Sequence, residues 1–323
     1  MADPRPGLAA PPVTRALLED GSLALSVEAA AWDAVASWVP RVPAREPAPG
    51  EARAWIRVGA GAPAFELPAA PAAMELYGVR GWTAGGAVVL ADGHRRIGAR
   101  VELESRRAEV RVDTAGPAPD AHDVFAVFTI AAGLLLARLG RALLHAAAVV
   151  APDGGAWLLP GSSFSGKSTT CITLIRAGWN YLCDDHVVLG RGAGGELRAE
   201  GWPRPFGLDR GYALGASEGV RGRVEPHLFG PGAWQRSAPV AGVLVPRVEA
   251  GQPTTVTPVH PAASLAQLLR QSPFMVSDPA AAPGVLALLE MVAKRPSYEL
   301  RLGFDSYCNP ERLQLALRAA TVA

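Results

Sequence analysis

Lysine is almost missing from this chain. Of 31 basic residues only Lys167 and Lys294 are lysines, and the other 29 are arginines. With 35 glycines and 29 prolines, this reads as a compositional bias, so arginine density is no signature of nucleic acid. It does make each lysine worth locating. Cysteine is scarce as well. Cys171, Cys183 and Cys308 are odd in number and far apart, which excludes a disulfide scaffold and a cysteine zinc site. Three mostly buried thiols suit a reducing, cytoplasmic interior. Charge of one sign is absent too. Thirty acids against the 31 bases leave a formal +1, so no global field draws in nucleic acid. Long apolar runs are lacking. The most membrane-like segment, Val124–Ala137, is 14 residues ended by Arg138, too short for about 30 Å of hydrocarbon and expected to be a buried helix. No basic stretch leads into an apolar core near Arg5 and Arg15, so no secretory signal is expected. What is present is 323 residues with 49% apolar side chains, ample for a packed core and one or two domains.

The first part of the chain alternates. A strand is expected at Leu23–Val27 and a short helix at Ala30–Trp38, before Pro40, Pro43, Pro47 and Pro49 break the pattern. Strands follow at Ala54–Val58, Ala72–Tyr77, Ala87–Leu90, Arg95–Leu103 and Ala108–Val112, with turn pairs Asp92-Gly93 and Ser105-Arg106. Arginine and glutamate at period two describe an antiparallel meander with one wet face, over residues 1–120. After the Gly116–Pro119 break, Asp120 or Asp123 can cap the apolar helix.

From Leu143 the pattern changes to short, continuous apolar strands around a helix, the mark of a layered α/β core. Strands are expected at Leu143–Ala151, Ala156–Pro160, Tyr181–Leu189, Val240–Val248 and Tyr298–Leu302. Helices are expected at Ser168–Ala177, Ala262–Arg270, Pro283–Ala293 and Pro310–Ala320. The second domain is placed at 121–323. The glycine-rich stretch Arg204–Gly232 is longer than an ordinary connection.

The sharpest motif is Gly161, Ser162, Ser163, Phe164, Ser165, Gly166, Lys167, Ser168, a complete G-x-x-x-x-G-K-[ST]. An apolar strand precedes it and a helical pattern follows. The two glycines let successive N–H groups converge on phosphate oxygens, and the helix start adds its free amides. Lys167 can reach the β- and γ-phosphates, Ser168 can ligate Mg²⁺, and Thr169 completes the cradle. One of only two lysines stands where a phosphate lysine is needed.

Asp184-Asp185 stands inside the apolar run YLCDDHVVL. Two adjacent carboxylates in a mainly buried strand cost several kcal/mol unless a charge compensates them. Adjacent strand residues point to opposite faces, so both reach one site only at a strand end or bulge. His145 interrupts LLHAAAVV on a strand expected beside the phosphate-loop strand. His186 should alternate away from Asp185, and His227 and His260 have no partner pattern.

HAAAVV, GSSFSGKST, the RAG turn and YLCDDHVVL together resemble the catalytic domain of the HPr kinase/phosphorylase family, whose core is shared with the ATP-dependent phosphoenolpyruvate carboxykinases. The resemblance is clear over residues 143–190 and absent from the first 120. It implies an α/β P-loop kinase core of that type, with a smaller N-terminal lobe rich in antiparallel strands. It implies an ATP-dependent kinase, GTP being an alternative donor, with Mg²⁺ as cofactor. Asp184 would be the base for an acceptor hydroxyl, Asp185 and Ser168 would hold Mg²⁺, and His145 would orient the acid. The two acids can exchange these duties, since neighbouring strand residues diverge.

Two departures matter. Ala146 follows the histidine where the bifunctional enzymes carry glycine. Their acidic and Arg-Gly-Leu-Gly motif is missing, with RPFGLD at Arg204–Asp209 in that part of the chain, so Arg204 is the candidate to neutralise transferred phosphate. Forward phosphotransfer is therefore expected over phosphorolysis. The acceptor is a hydroxyl of a protein, a peptide or a small molecule, with a protein or peptide serine foremost. A nucleotide hydrolase or switch and a non-catalytic regulatory subunit are the alternatives. No nucleic-acid or membrane partner is expected, and a homo-oligomer is compatible with the composition.

Overall fold

A computed structural model describes residues 12–36, 39, 45–116, 119–202, 206–209, 221–224, 234–249, 251–273, 278–303, 305–306 and 309–322. Arg204, His227 and Cys308, and the expected end of the first helix at Trp38, lie outside them. The chain divides into two compact units, Met1–Leu139 with Phe274–Ala281, and Gly140–Pro273 with Ala282–Ala323.

The first unit is built on an eight-stranded sheet. Its strands are β1 (Val13–Ala16), β2 (Leu23–Val27), β3 (Ala54–Ala60), β4 (Met74–Leu76), β5 (Val79–Ala84), β6 (Ala87–Ala91), β7 (Ile97–Glu102) and β8 (Arg107–Val112). They run in the order β1-β2-β3-β8-β7-β6-β5-β4. The sheet is mixed, which corrects the expected all-antiparallel meander: β3 pairs parallel with both β2 and β8. Alternation encodes which face is buried and not strand direction. Helix α1 (Ala29–Val35) supplies the crossover that a parallel β2–β3 pair requires.

Helix α2 (Ala121–Arg138) packs on β7 and β8. Asp120 caps it, its Oδ1 accepting from the His122 amide at 2.6 Å. Arg138 in the last turn opposes the helix dipole and bonds Glu104 at 2.9 Å and Asp278. The apolar run is thus a buried helix of the first unit, whereas the sequence reading began the second domain at residue 121. No described helix is long and apolar enough to cross a membrane.

The second unit is also α/β with mixed pairing. Its strands include β9 (Ala142–Val150), β10 (Ala156–Pro160), β11 (Asn180–Cys183), β12 (His186–Arg191), β13 (Leu197–Trp202), β16 (Ser237–Val248), β17 (Thr255–Pro258) and β18 (Ser297–Leu302). Strands β14 (Phe206–Asp209) and β15 (Arg221–Val224) form a separate two-stranded sheet. Strand β10 pairs antiparallel with β9 and parallel with β16, and β16 pairs parallel with β18. The pairings β10–β9–β12–β13–β16 return to β10 as a closed circuit. Helices are α3 (Lys167–Arg176), α4 (Pro261–Arg270), α5 (Ala282–Ala293) and α6 (Pro310–Val322). Cys171, Ile172, Leu174 and Ile175 of α3 are buried with Val149, Leu159, Leu244, Leu300, Leu313 and Leu317. Each large aliphatic side chain so buried contributes about 1.5–3 kcal/mol, which fixes α3 directly after the β10 loop.

Candidate active site

The segment 161–166 leaves β10 at Pro160 and enters α3 at Lys167, the strand–loop–helix order the motif needs. Two backbone positions explain its glycines. Gly166 caps α3 with φ 99°, and a Cβ there would lie 2.7 Å from Val248 Cγ2. A Cβ on Gly161 would overlap Ser165 Oγ. Ser165 Oγ itself is buried and takes no hydrogen-bond partner among the described residues. A buried hydroxyl without a partner in a polar loop leaves hydrogen-bonding capacity for a guest oxygen.

Lys167 is 8% exposed, and its ammonium donates to Gly161 O at 2.7 Å and Ser162 O at 3.0 Å. Burial pulls its proton affinity below the ordinary lysine value, and the charges of Asp185 and Asp184 push partly back. The Lys167 ammonium is therefore a buried charge held against the loop carbonyls. Ser168 and Thr169, on the first turn of α3, are half-buried, while Ser162, Ser163 and Phe164 are exposed.

Strand β9 brings the distant residues together. Pro160, the last residue before the loop, is registered opposite Ala146. On the other edge of β9, the Ala146 amide donates to Asp185 O at 3.1 Å. One residue of β9 thus lies between the loop and the acid pair. The expected single strand Tyr181–Leu189 is two strands, corrected by a register shift between Tyr181 and Cys183 and an interruption of strand structure at Asp184–Asp185. The break frees both acids from strict alternation.

His145 Nε2 lies 3.1 Å from Asp185 Oδ1. Its backbone is held by the Gln271 carbonyl, which accepts from His145 N at 2.8 Å. His186 differs from expectation. Its Nδ1 is 4.0 Å from Asp185 Oδ2, and its ring stacks on His145 with centroids 5.9 Å apart. The signal was the register itself, since His186 is the β12 partner of His145. Asp185 is about one-third exposed and faces both imidazoles, whereas Asp184 is 8% exposed. Burial pushes the Cys171 and Cys183 thiols well above their ordinary range, and the Asp184 charge adds to it. No group of three or more His, Cys, Asp or Glu that could hold a metal occurs among the described residues. Mg²⁺ is commonly held by one or two carboxylates with substrate phosphates, which needs no such group.

No family model matches this chain, and no curated protein matches it. Among solved structures, the HPr(Ser) kinase/phosphatase from Coxiella burnetii is a weak, partial likeness. It is 14% identical, covers 56% of this chain and 96% of its own, and superposes with a TM-score of 0.32.

Proposed function

We propose that this chain is an ATP-dependent phosphotransferase that moves the γ-phosphoryl group of ATP, or of GTP, to a hydroxyl, foremost a serine of a protein or peptide. The observation that carries this reading is the β9 register. It puts a G-x-x-x-x-G-K-S loop on one side of Ala146 and an Asp-Asp pair with a histidine on the other.

The loop amides and Lys167 would hold the β- and γ-phosphates, the lysine exchanging two loop carbonyls for phosphate oxygens. Mg²⁺ supplies charge neutralisation on those phosphates when bound. The acids divide by exposure. Asp185, partly open and bonded to His145, suits the base that meets an incoming hydroxyl. Asp184, the more deeply buried acid at the strand break, and Ser168, on the first turn of α3, would hold Mg²⁺. This exchanges the two duties drawn from the family resemblance. In the transfer, the acceptor oxygen forms a bond to the γ-phosphorus and its proton passes to Asp185. The bond from that phosphorus to the bridging oxygen breaks, and its electron pair leaves with ADP. Arg204, beyond the described residues, stays the proposed partner for the transferred charge.

Calorimetry with ATP and Mg²⁺ tests the site: wild type should bind and folded Lys167→Ala should not. Labelled ATP offered with a peptide and metabolite extract then tests transfer. Release of phosphate without any labelled acceptor would make the protein a hydrolase, and binding without turnover a regulatory subunit.

A further inference from the structure

Phe164 stands at the apex of the phosphate loop, 84% exposed and with its backbone at φ 67°. The Ser165 amide donates to Ser162 O at 3.3 Å, closing a turn in which Phe164 holds the third position. A positive φ there is the type II requirement that glycine meets without strain. Three other described non-glycine residues have positive φ, Tyr77, Arg95 and Arg106, and each lies in a turn joining two strands of the first unit. Phe164 lies in no hairpin. It is a bulky residue in a left-handed conformation, in a chain with glycine at 35 other positions. Its exposure returns little of that cost through burial.

The surroundings point to a ligand. Among the described residues four large hydrophobic side chains are exposed, Tyr77, Phe164, Val248 and Leu315. Two of them flank this loop, since Val248 is the side chain against which Gly166 packs. An aromatic face beside a phosphate cradle matches one chemistry, a planar base tethered to phosphates.

We propose that Phe164 is the nucleobase platform of this site, a specificity residue that stacks on the purine of the bound triphosphate, with Val248 as a second apolar contact. The inference rests on the phosphate-loop reading above. Stacking reads the π-face and not the hydrogen-bonding edge, so ATP and GTP should bind with similar affinity.

The test compares Mg-ATP and Mg-GTP with inorganic tripolyphosphate, which carries the phosphates without a base, on the full chain. Phe164→Gly and Phe164→Leu should each weaken ATP and GTP by about 5–100-fold and leave tripolyphosphate within about twofold. Phe164→Gly should be no less stable than wild type, so its loss cannot be one of folding. Phe164→Trp should keep nucleotide affinity, with indole fluorescence quenched by ATP and untouched by tripolyphosphate. If tripolyphosphate binds and Phe164→Gly and Phe164→Leu bind ATP like wild type, the platform is overturned while the phosphate loop stands. If ATP and tripolyphosphate weaken together, Phe164 shapes the loop and touches no base, which also overturns it. If wild type binds neither, the phosphate-loop reading fails and takes this inference with it.

Discussion

His145 and Asp185, far apart in the chain, meet at 3.1 Å through Nε2 and Oδ1. The contact exists because β12 ends against β9 at the His145–His186 pair, leaving Asp185 just beyond the ladder. An imidazole so placed fixes which way the carboxylate points. His145→Ala should therefore leave ATP binding intact and lower transfer by about 10²-fold, the cost of a misaimed base. Calorimetry and kcat on one preparation check it. Unchanged kcat would make His145 a structural histidine only.

The acid pair should respond unequally to loss of charge. Asp185→Asn keeps its shape but cannot take a proton, so transfer should fall about 10²–10⁴-fold with nucleotide affinity retained. Asp184→Asn should instead raise the Mg²⁺ concentration needed for half-maximal transfer. A Mg²⁺ titration of both variants decides the order. Rescue of Asp185→Asn by high Mg²⁺, without rescue of Asp184→Asn, would restore the assignment implied by family resemblance. Wild-type transfer in both would remove the pair from the centre.

Lys167 gives the fold a pH dependence. Its buried ammonium has a folded value below the ordinary 10.5, so between the two values the unfolded chain binds the extra proton. Stability should therefore rise with pH through that alkaline window, and below it the charged lysine costs stability. Lys167→Met removes the charge at similar length. Its denaturation midpoint at pH 7 should correspond to wild-type stability within about 1 kcal/mol, with the alkaline gain abolished. An unchanged alkaline slope would contradict this.

Gly166→Ala should destabilise the second unit by about 1–2 kcal/mol from its left-handed backbone alone. The new methyl also meets Val248. Chemical denaturation of the ligand-free protein measures it, and a neutral change would refute the strained cap.

Cys171 and Cys183 should resist thiol reagents in the native state at neutral pH, since burial holds both thiols protonated. Peptide mapping after labelling, native against urea-unfolded, reads this directly. Native labelling at either position would show that α3 or β11 opens.

Much of the second unit was legible because its signals are local. Pro160, Gly161, Gly166 and Lys167 announce a strand, a tight loop and a helix start within a few residues, and the structure forms β10 and α3 there. The apolar run to Arg138 also formed its helix where expected. The strands β1, β5, β13 and β17 went unread, being short or weakly patterned stretches whose partners lie far along the chain. Strand direction was hidden as well. Period-two alternation in β3 is the same for parallel and antiparallel neighbours, and only the α1 crossover and the β4–β7 excursion made both of its pairings parallel.

The site divides in the same way. Which residue types the candidate site holds, a G-x-x-x-x-G-K-S loop, two acids and a histidine, is a property of the sequence, because motif spacing needs no distant partner. What only the tertiary structure decided is their arrangement. The register of β9 against β10 on one edge and against β11 and β12 on the other set Ala146 between loop and acids. A one-residue shift near Leu182 and the break at Asp184–Asp185 turned Asp185 toward His145 and His186. Such a shift follows from packing across the whole sheet, and side-chain period alone carries no record of it.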